Sequence, residues 1–214
     1  MEIELKYAVS SDRIADRIWS DEELRSMEEH DSRSTEEFRA RYFDTEDNVL
    51  FRHDIAFRVR QEGERVVASL KWDGTNEGPL HTREELNINL CMRELPEEPD
   101  PEVFGESEIG KEMLELIGED SISPFMEVNV ERRAFRVDTG TSIMEVSIDS
   151  GEIVTANGSS DVCELEIELY SGDREELEKL GDMIQNRYNL TPEKNSKFAR
   201  GLMMLDMIDQ QEEN

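Results

Sequence analysis

The sequence predicts an α+β fold built on an antiparallel sheet, and two patterns carry that expectation. Seven stretches alternate charged and apolar residues with a period of two, which is the mark of a strand with one polar and one buried face. Four others space their apolar residues as a helix does, so each has one face to bury. If those helices cover the apolar side of the strands, the charged faces line the opposite side of the same sheet. A many-stranded antiparallel sheet removes its exposed edges by closing into a barrel.

The strands come in order. In "EIELK", Glu2, Glu4 and Lys6 share one face while Ile3 and Leu5 share the other. "AFRVRQ" sets Arg58 and Arg60 against Phe57 and Val59, and "VVASLKW" sets Ser69 and Lys71 against Ala68, Leu70 and Trp72; "EGE" between them turns a hairpin. "TREELNINL" puts Arg83, Glu85, Asn87 and Asn89 together, and "VNVERRAF" puts Arg133 in phase with Asn129 and Glu131. "IMEVSID" presents Glu145, Ser147 and Asp149, and "CELEIEL" presents Glu164, Glu166 and Glu168. The helical segments are "DRIADRIWSDEELRSMEEH", "SEIGKEMLELIG", "DREELEKLGDMIQNRYN" and "NSKFARGLMMLDMI". Asp149-Ser150-Gly151 and "NGSS" at 157–160 read as turns.

Composition narrows the function. With 214 residues the expectation is one domain spanning 1–214, long enough for a sizeable core. Fifty-three acidic residues against 24 basic ones give a net charge of −29, so nucleic acid and anionic membranes are excluded as general partners. Any anion site must be a local basic pocket. Cys91 and Cys163 lack metal or redox spacing, and the chain opens on a charged strand, so the expected compartment is the cytoplasm; oligomeric state is open. The three histidines lack zinc-ligand spacing, and "GESEIGKE" copies a P-loop but puts Glu112 where magnesium needs Ser or Thr.

The polar strand faces depart from this acidic background. Their acids are Glu2, Glu4, Glu85, Glu145, Glu164, Glu166 and Glu168; their bases are Lys6, Arg58, Arg60, Lys71, Arg83 and Arg133, a near balance where composition predicts two acids per base. Bases concentrated in this way suit a polyanion. The charges must then pair with each other, with metal or with ligand to be enclosed at all.

Glu2-Ile3-Glu4-Leu5-Lys6 resembles the ExExK signature of the CYTH superfamily, the triphosphate tunnel metalloenzymes. "RYFDTEDNVL", "AFRVRQEGE", "SLKW", "REELNINL", "MEVSIDSGEI", "CELEIELYSGD" and "NSKFARGL" follow in family order over nearly the whole chain, most similar to bacterial inorganic triphosphatases. The resemblance implies a closed eight-stranded antiparallel barrel with helices outside, whose tunnel holds a triphosphate-containing small molecule and a divalent metal. It implies Glu2, Glu4, Glu164 and Glu166 as ligands for Mg2+ or Mn2+, an oxygen donor set suited to either ion. Lys6, Arg58, Arg60, Lys71, Arg133 and Lys197 would hold the substrate, with Lys6, Glu85 and Glu145 beside the reacting groups. The roles of Arg39, Arg41, Arg83 and Glu168 stay open. The expected reaction is hydrolysis of tripolyphosphate to pyrophosphate and phosphate. The alternatives are a class IV adenylate cyclase, a thiamine or nucleoside triphosphatase, and a non-catalytic polyphosphate- or nucleotide-binding module.

Overall fold

The structure, a computed structural model, describes residues 1–208; residues 209–214, the end of the expected 1–214 unit, lie outside the described residues. Strands β1 (Glu2–Ala8), β2 (Ser34–Thr45), β3 (Ala56–Glu62), β4 (Arg65–Glu77), β5 (Leu80–Leu90), β6 (Ile122–Asp138), β7 (Ile143–Thr155) and β8 (Gly158–Ser171) form an antiparallel sheet in the order β5-β4-β3-β2-β6-β7-β8-β1. Pairing of β1 with β5, Glu2 opposite Arg83 and Leu5 opposite Leu80, closes the ring. The alternation therefore acquires an inside and an outside. A two-residue strand β9 (Thr191–Pro192) adds to β1.

Helices α1 (Asp12–Trp19), α2 (Glu22–Ser26), α3 (Val49–Arg52), α4 (Glu108–Ile117) and α5 (Arg174–Tyr188) pack outside the ring. The first predicted helical segment is thus two short helices, broken where Asp21 caps α2 by accepting from the amides of Glu23 (2.9 Å) and Leu24 (3.0 Å). Leu177, Leu180 and Ile184 of α5 bury against Leu5, Tyr7 and Leu165, while Phe104, Met113 and Ile117 cover Phe57 and Leu70. At Gly181 a Cβ would stand 2.3 Å from Leu5 Cδ1, so α5 lies directly on β1 only because that residue has no side chain.

The last helix, α6 (Lys197–Met204), is placed differently. It seats Phe198 and Met204 on Tyr42, Met126, Val128, Ile153 and Val162, residues that share the lumenal phase of their strands. One end of the lumen is therefore apolar and roofed by α6, capped by Ser196 accepting from the Ala199 amide at 3.1 Å. The helix stops at Met204, short of the predicted run through Ile208.

Two expectations are corrected here. Arg133 faces outward, donating to Asp16 Oδ1 at 2.8 Å and lying over the Trp19 ring, whereas Arg132 faces the lumen. The error in phase came from treating Val128 and Val130 as the outer face. They are lumenal, under α6, while Phe135 and Val137 are the residues buried beneath the outer helices. Asp149-Ser150-Gly151 is no turn: β7 runs through it, and Gly151 lets Asn129 of β6 approach, where a Cβ would meet the Asn129 carbonyl at 2.0 Å.

Candidate functional site: a charged tunnel

The lumen encloses a cavity of about 740 Å³. Glu2, Glu4, Lys6, Arg58, Arg60, Lys71, Glu85, Glu145, Glu166 and Lys197 all line it, from six strands and one helix. Of the other predicted residues, Glu164 lies just beneath, covered by Lys197 and Arg200. Arg83 and Glu168 also line the cavity. Arg39 and Arg41 share the outward phase of β2, and Arg41 pairs with Glu127 at 2.7 Å.

The charges fall into two linked groups. In the first, Lys71 Nζ lies 2.6 Å from Glu2 and 3.3 Å from Glu85, and Arg58 Nη2 lies 3.4 Å from Glu85 and 3.3 Å from Ser69 Oγ. Glu85 thus orients two cations at once. Arg58 is only 8% exposed, yet its Nε has no hydrogen-bond partner among the described residues.

In the second group Lys6 Nζ joins Glu4 at 2.9 Å to Glu166 at 2.5 Å. Arg132 donates Nε and Nη2 to the two oxygens of Asp149 at 2.6 and 2.7 Å, and also reaches Glu166 at 2.5 Å. Lys197 touches Asp149 at 2.7 Å, Glu166 at 2.9 Å, and Glu164. Between the groups, Arg60 pairs with Glu62, and the guanidinium carbons of Arg60 and Arg132 sit 5.0 and 5.1 Å from the Phe38 ring centre.

Burial would raise the carboxyls of Glu2, Glu4, Asp149, Glu164, Glu166 and Glu168, and the cations decide which stay ionised. Lys71 overcomes burial at Glu2 and holds it down at about 2; Lys197, Lys6 and Arg132 hold Glu166 well below the usual carboxylate range. At Glu4 and Glu164 burial prevails over their lysines and the pKa is raised. Glu168, half-buried and flanked by Glu2 and Glu4, is pushed up to about 8, first by its burial and then by those charges. Arg60 is lowered, by burial and then by Arg58 beside it.

Asp149, Glu164 and Glu166 can each bring one carboxylate oxygen within 4.8 Å of the others. Three hard oxygen donors at that spacing fit a magnesium-type ion and no soft metal. Asp149 and Arg132 are the residues that sequence reasoning missed. Asp149 was readable from its phase with Glu145 and Ser147. Arg132 was readable by phasing β6 from Phe135 and Val137.

A closed barrel whose inner wall carries interleaved cations and carboxylates defines a charged-tunnel fold. The chain belongs to the CYTH family: the CYTH domain matches residues 1–202. It is 25% identical over 163 residues to an inorganic triphosphatase of Haemophilus influenzae, covering 76% of this chain but only 44% of that protein, so it spans under half the length of this curated relative. Among solved structures, a Hippeastrum protein named as an adenylyl cyclase with a dominant triphosphatase activity superposes with a TM-score of 0.66 at 18% identity, over 95% of this chain and 96% of the other. The PH1819 protein of Pyrococcus horikoshii superposes at 0.56 and 18% identity, over 97% and 100%. At those identities the structural likeness is one of fold.

Proposed function

We propose that this chain hydrolyses linear triphosphates inside the tunnel, with inorganic tripolyphosphate preferred and Mg2+ or Mn2+ required. The observation that carries the reading is Arg58: a buried guanidinium, held at long range by Glu85 and Ser69, with a donor left over. A buried donor without an acceptor is costly, and a phosphoryl oxygen is the acceptor that a guanidinium fits best. The name of the Haemophilus relative supports the same chemistry.

In this reading Arg58, Arg60, Lys71, Lys6 and Arg132 bind successive phosphoryl groups, and Glu85 positions Arg58 and Lys71. Water attacks a terminal phosphorus in line, the P–O bond to the neighbouring phosphate breaks, and pyrophosphate and orthophosphate leave. Arg58 and Lys71 stabilise the charge on the equatorial oxygens. Glu145 lies opposite Glu168 and lines the cavity; in this reading it takes the proton of the water. A divalent ion held by Glu2, Glu4, Glu164 and Glu166, with Asp149 beside them, would supply Lewis-acid neutralisation of phosphoryl charge. Lys197 of the roof helix lies among the acids, so a substrate role for it requires movement of α6.

Every cation named here suits phosphate and none is reserved for a base or sugar. Tripolyphosphate should therefore be cleaved with a higher kcat/KM than ATP or thiamine triphosphate, and Arg58→Ala should lower all three. Cyclic AMP as the main product from ATP, with tripolyphosphate left intact, would replace this reading by a cyclase.

A further inference from the structure

Three carboxylates, Asp149, Glu164 and Glu166, are met by four cations: Lys6, Arg132, Lys197 and Arg200. The cluster is already neutralised by the protein's own side chains. A divalent ion entering it would leave an excess of positive charge in a buried space, so a resident cation must go. Lys6 sits in β1, paired with Glu166 of β8 and donating its amide to the Pro79 carbonyl, and Arg132 sits in the middle of β6, locked in two strand ladders and gripping Asp149 with two hydrogen bonds. Lys197 differs. It is the first residue of α6, which belongs to no ladder, and it alone touches all three acids.

Building on the metal-dependent reading above, we propose that Lys197 is a tethered stand-in for the metal: its ammonium occupies the acid cluster when no ion is bound, and a divalent ion displaces it and frees the first turn of α6. The same step links metal loading to the roof of the tunnel. Phe198, the next residue, stacks on lumenal Tyr42 with ring centres 5.1 Å apart, so withdrawal of Lys197 pulls on the apolar seal of that mouth. Arg200 to the Asp161 carbonyl (2.7 Å) and Asn157 to the Met204 carbonyl (2.8 Å) anchor the rest of the helix. Movement is therefore confined to its N-terminal turn.

The test uses Mn2+ alone as the probe, on the whole chain without substrate. By titration calorimetry Lys197→Met should bind Mn2+ at least about tenfold more tightly than wild type, because no ammonium competes. Arg200→Met, which releases only Glu164, should gain less. Backbone hydrogen exchange of wild type should rise in residues 196–201 when Mn2+ is added, a readout that needs no variant to fold. Equal or weaker Mn2+ binding by Lys197→Met, or slower exchange in that segment with Mn2+, overturns the proposal. If wild type still turns over tripolyphosphate with metal in that case, the triphosphatase reading stands without it. If wild type neither binds Mn2+ nor turns over, both fall together.

Discussion

Asp149 and Arg132 face each other across β7 and β6 inside the barrel, joined by two hydrogen bonds of 2.6 and 2.7 Å, with the aspartate only 1% exposed. The neighbouring Arg133 makes the opposite choice, pairing on the surface with Asp16, whose side chain is 68% exposed. Two adjacent arginines thus belong to different environments, and substitution should separate them. Arg132→Ala leaves Asp149 and Glu166 short of a buried partner and should cost about 3 kcal/mol in stability and most of the turnover. Arg133→Ala should cost under about 1 kcal/mol and leave kcat/KM nearly unchanged. Equal losses in the two variants, measured by urea unfolding and tripolyphosphate turnover, would mean that the face assignment of β6 is wrong.

Glu4→Gln and Glu166→Gln should each reduce metal-dependent turnover at least about a hundredfold, more than a merely supporting residue costs. Their stabilities should diverge. Glu166 holds Lys6, Arg132 and Lys197 together, so its loss destabilises; Glu4 sits among like charges, so its loss is neutral or stabilising without metal. Thermal melts in chelator check this: parallel shifts of both variants would contradict it.

Glu168 supplies a pH signature. Burial and then Glu2 and Glu4 raise its carboxyl to about 8 from an ordinary 4.5. The folded protein therefore holds a proton that the unfolded chain has released, and stability declines as pH rises between those values. Glu168→Gln removes that decline. In metal-free protein the variant should gain on wild type steadily from about pH 4.5 to 8 and level off above; a constant difference across that range would show that Glu168 is ionised at neutral pH.

Asp21 provides the opposite case, remote from the tunnel. Burial would raise it, but hydrogen bonds from Tyr188, Arg187 and the Leu24 amide bring it to about 2 from 3.8. Its contribution is present above the unfolded value and lost as pH falls from about 4 through 2. Asp21→Asn should therefore be less stable than wild type at pH 6, by about 1–2 kcal/mol for a weakened cap and ion pair, and the gap should narrow toward pH 2.5. Triphosphatase activity should be unchanged.

The barrel was legible because its polar faces are so regular: in β1, β3, β4, β5 and β8, alternation gathered Glu4, Arg58, Lys71, Glu85 and Glu166 on charged faces, and helices covering the opposite faces turned those inward. Strand β2 was hidden, since its lumenal residues Phe38, Ala40 and Tyr42 are apolar while Arg39 and Arg41 point outward. The same reversal misled the reading of β6. Alternation reports two faces but not which is inside, and a lumen that is charged at one end and apolar under α6 at the other defeats a single rule. Asp149 was obscured by a local Asp-Ser-Gly signal that the strand ladder overrides.

The ring is sealed by its first strand, and Lys6 meets Glu166 across 160 residues of sequence. Until β8 has been made, β1 has only one permanent neighbour. Long-range closure of this kind is slow, since the entropy of joining distant segments must be met before the contacts reward it. During synthesis the growing chain therefore presents unsealed sheet edges to its surroundings, and one late event both completes the wall and brings the ExExK carboxylates opposite their partners. In a newly made molecule the wall and its charged lining are therefore completed together.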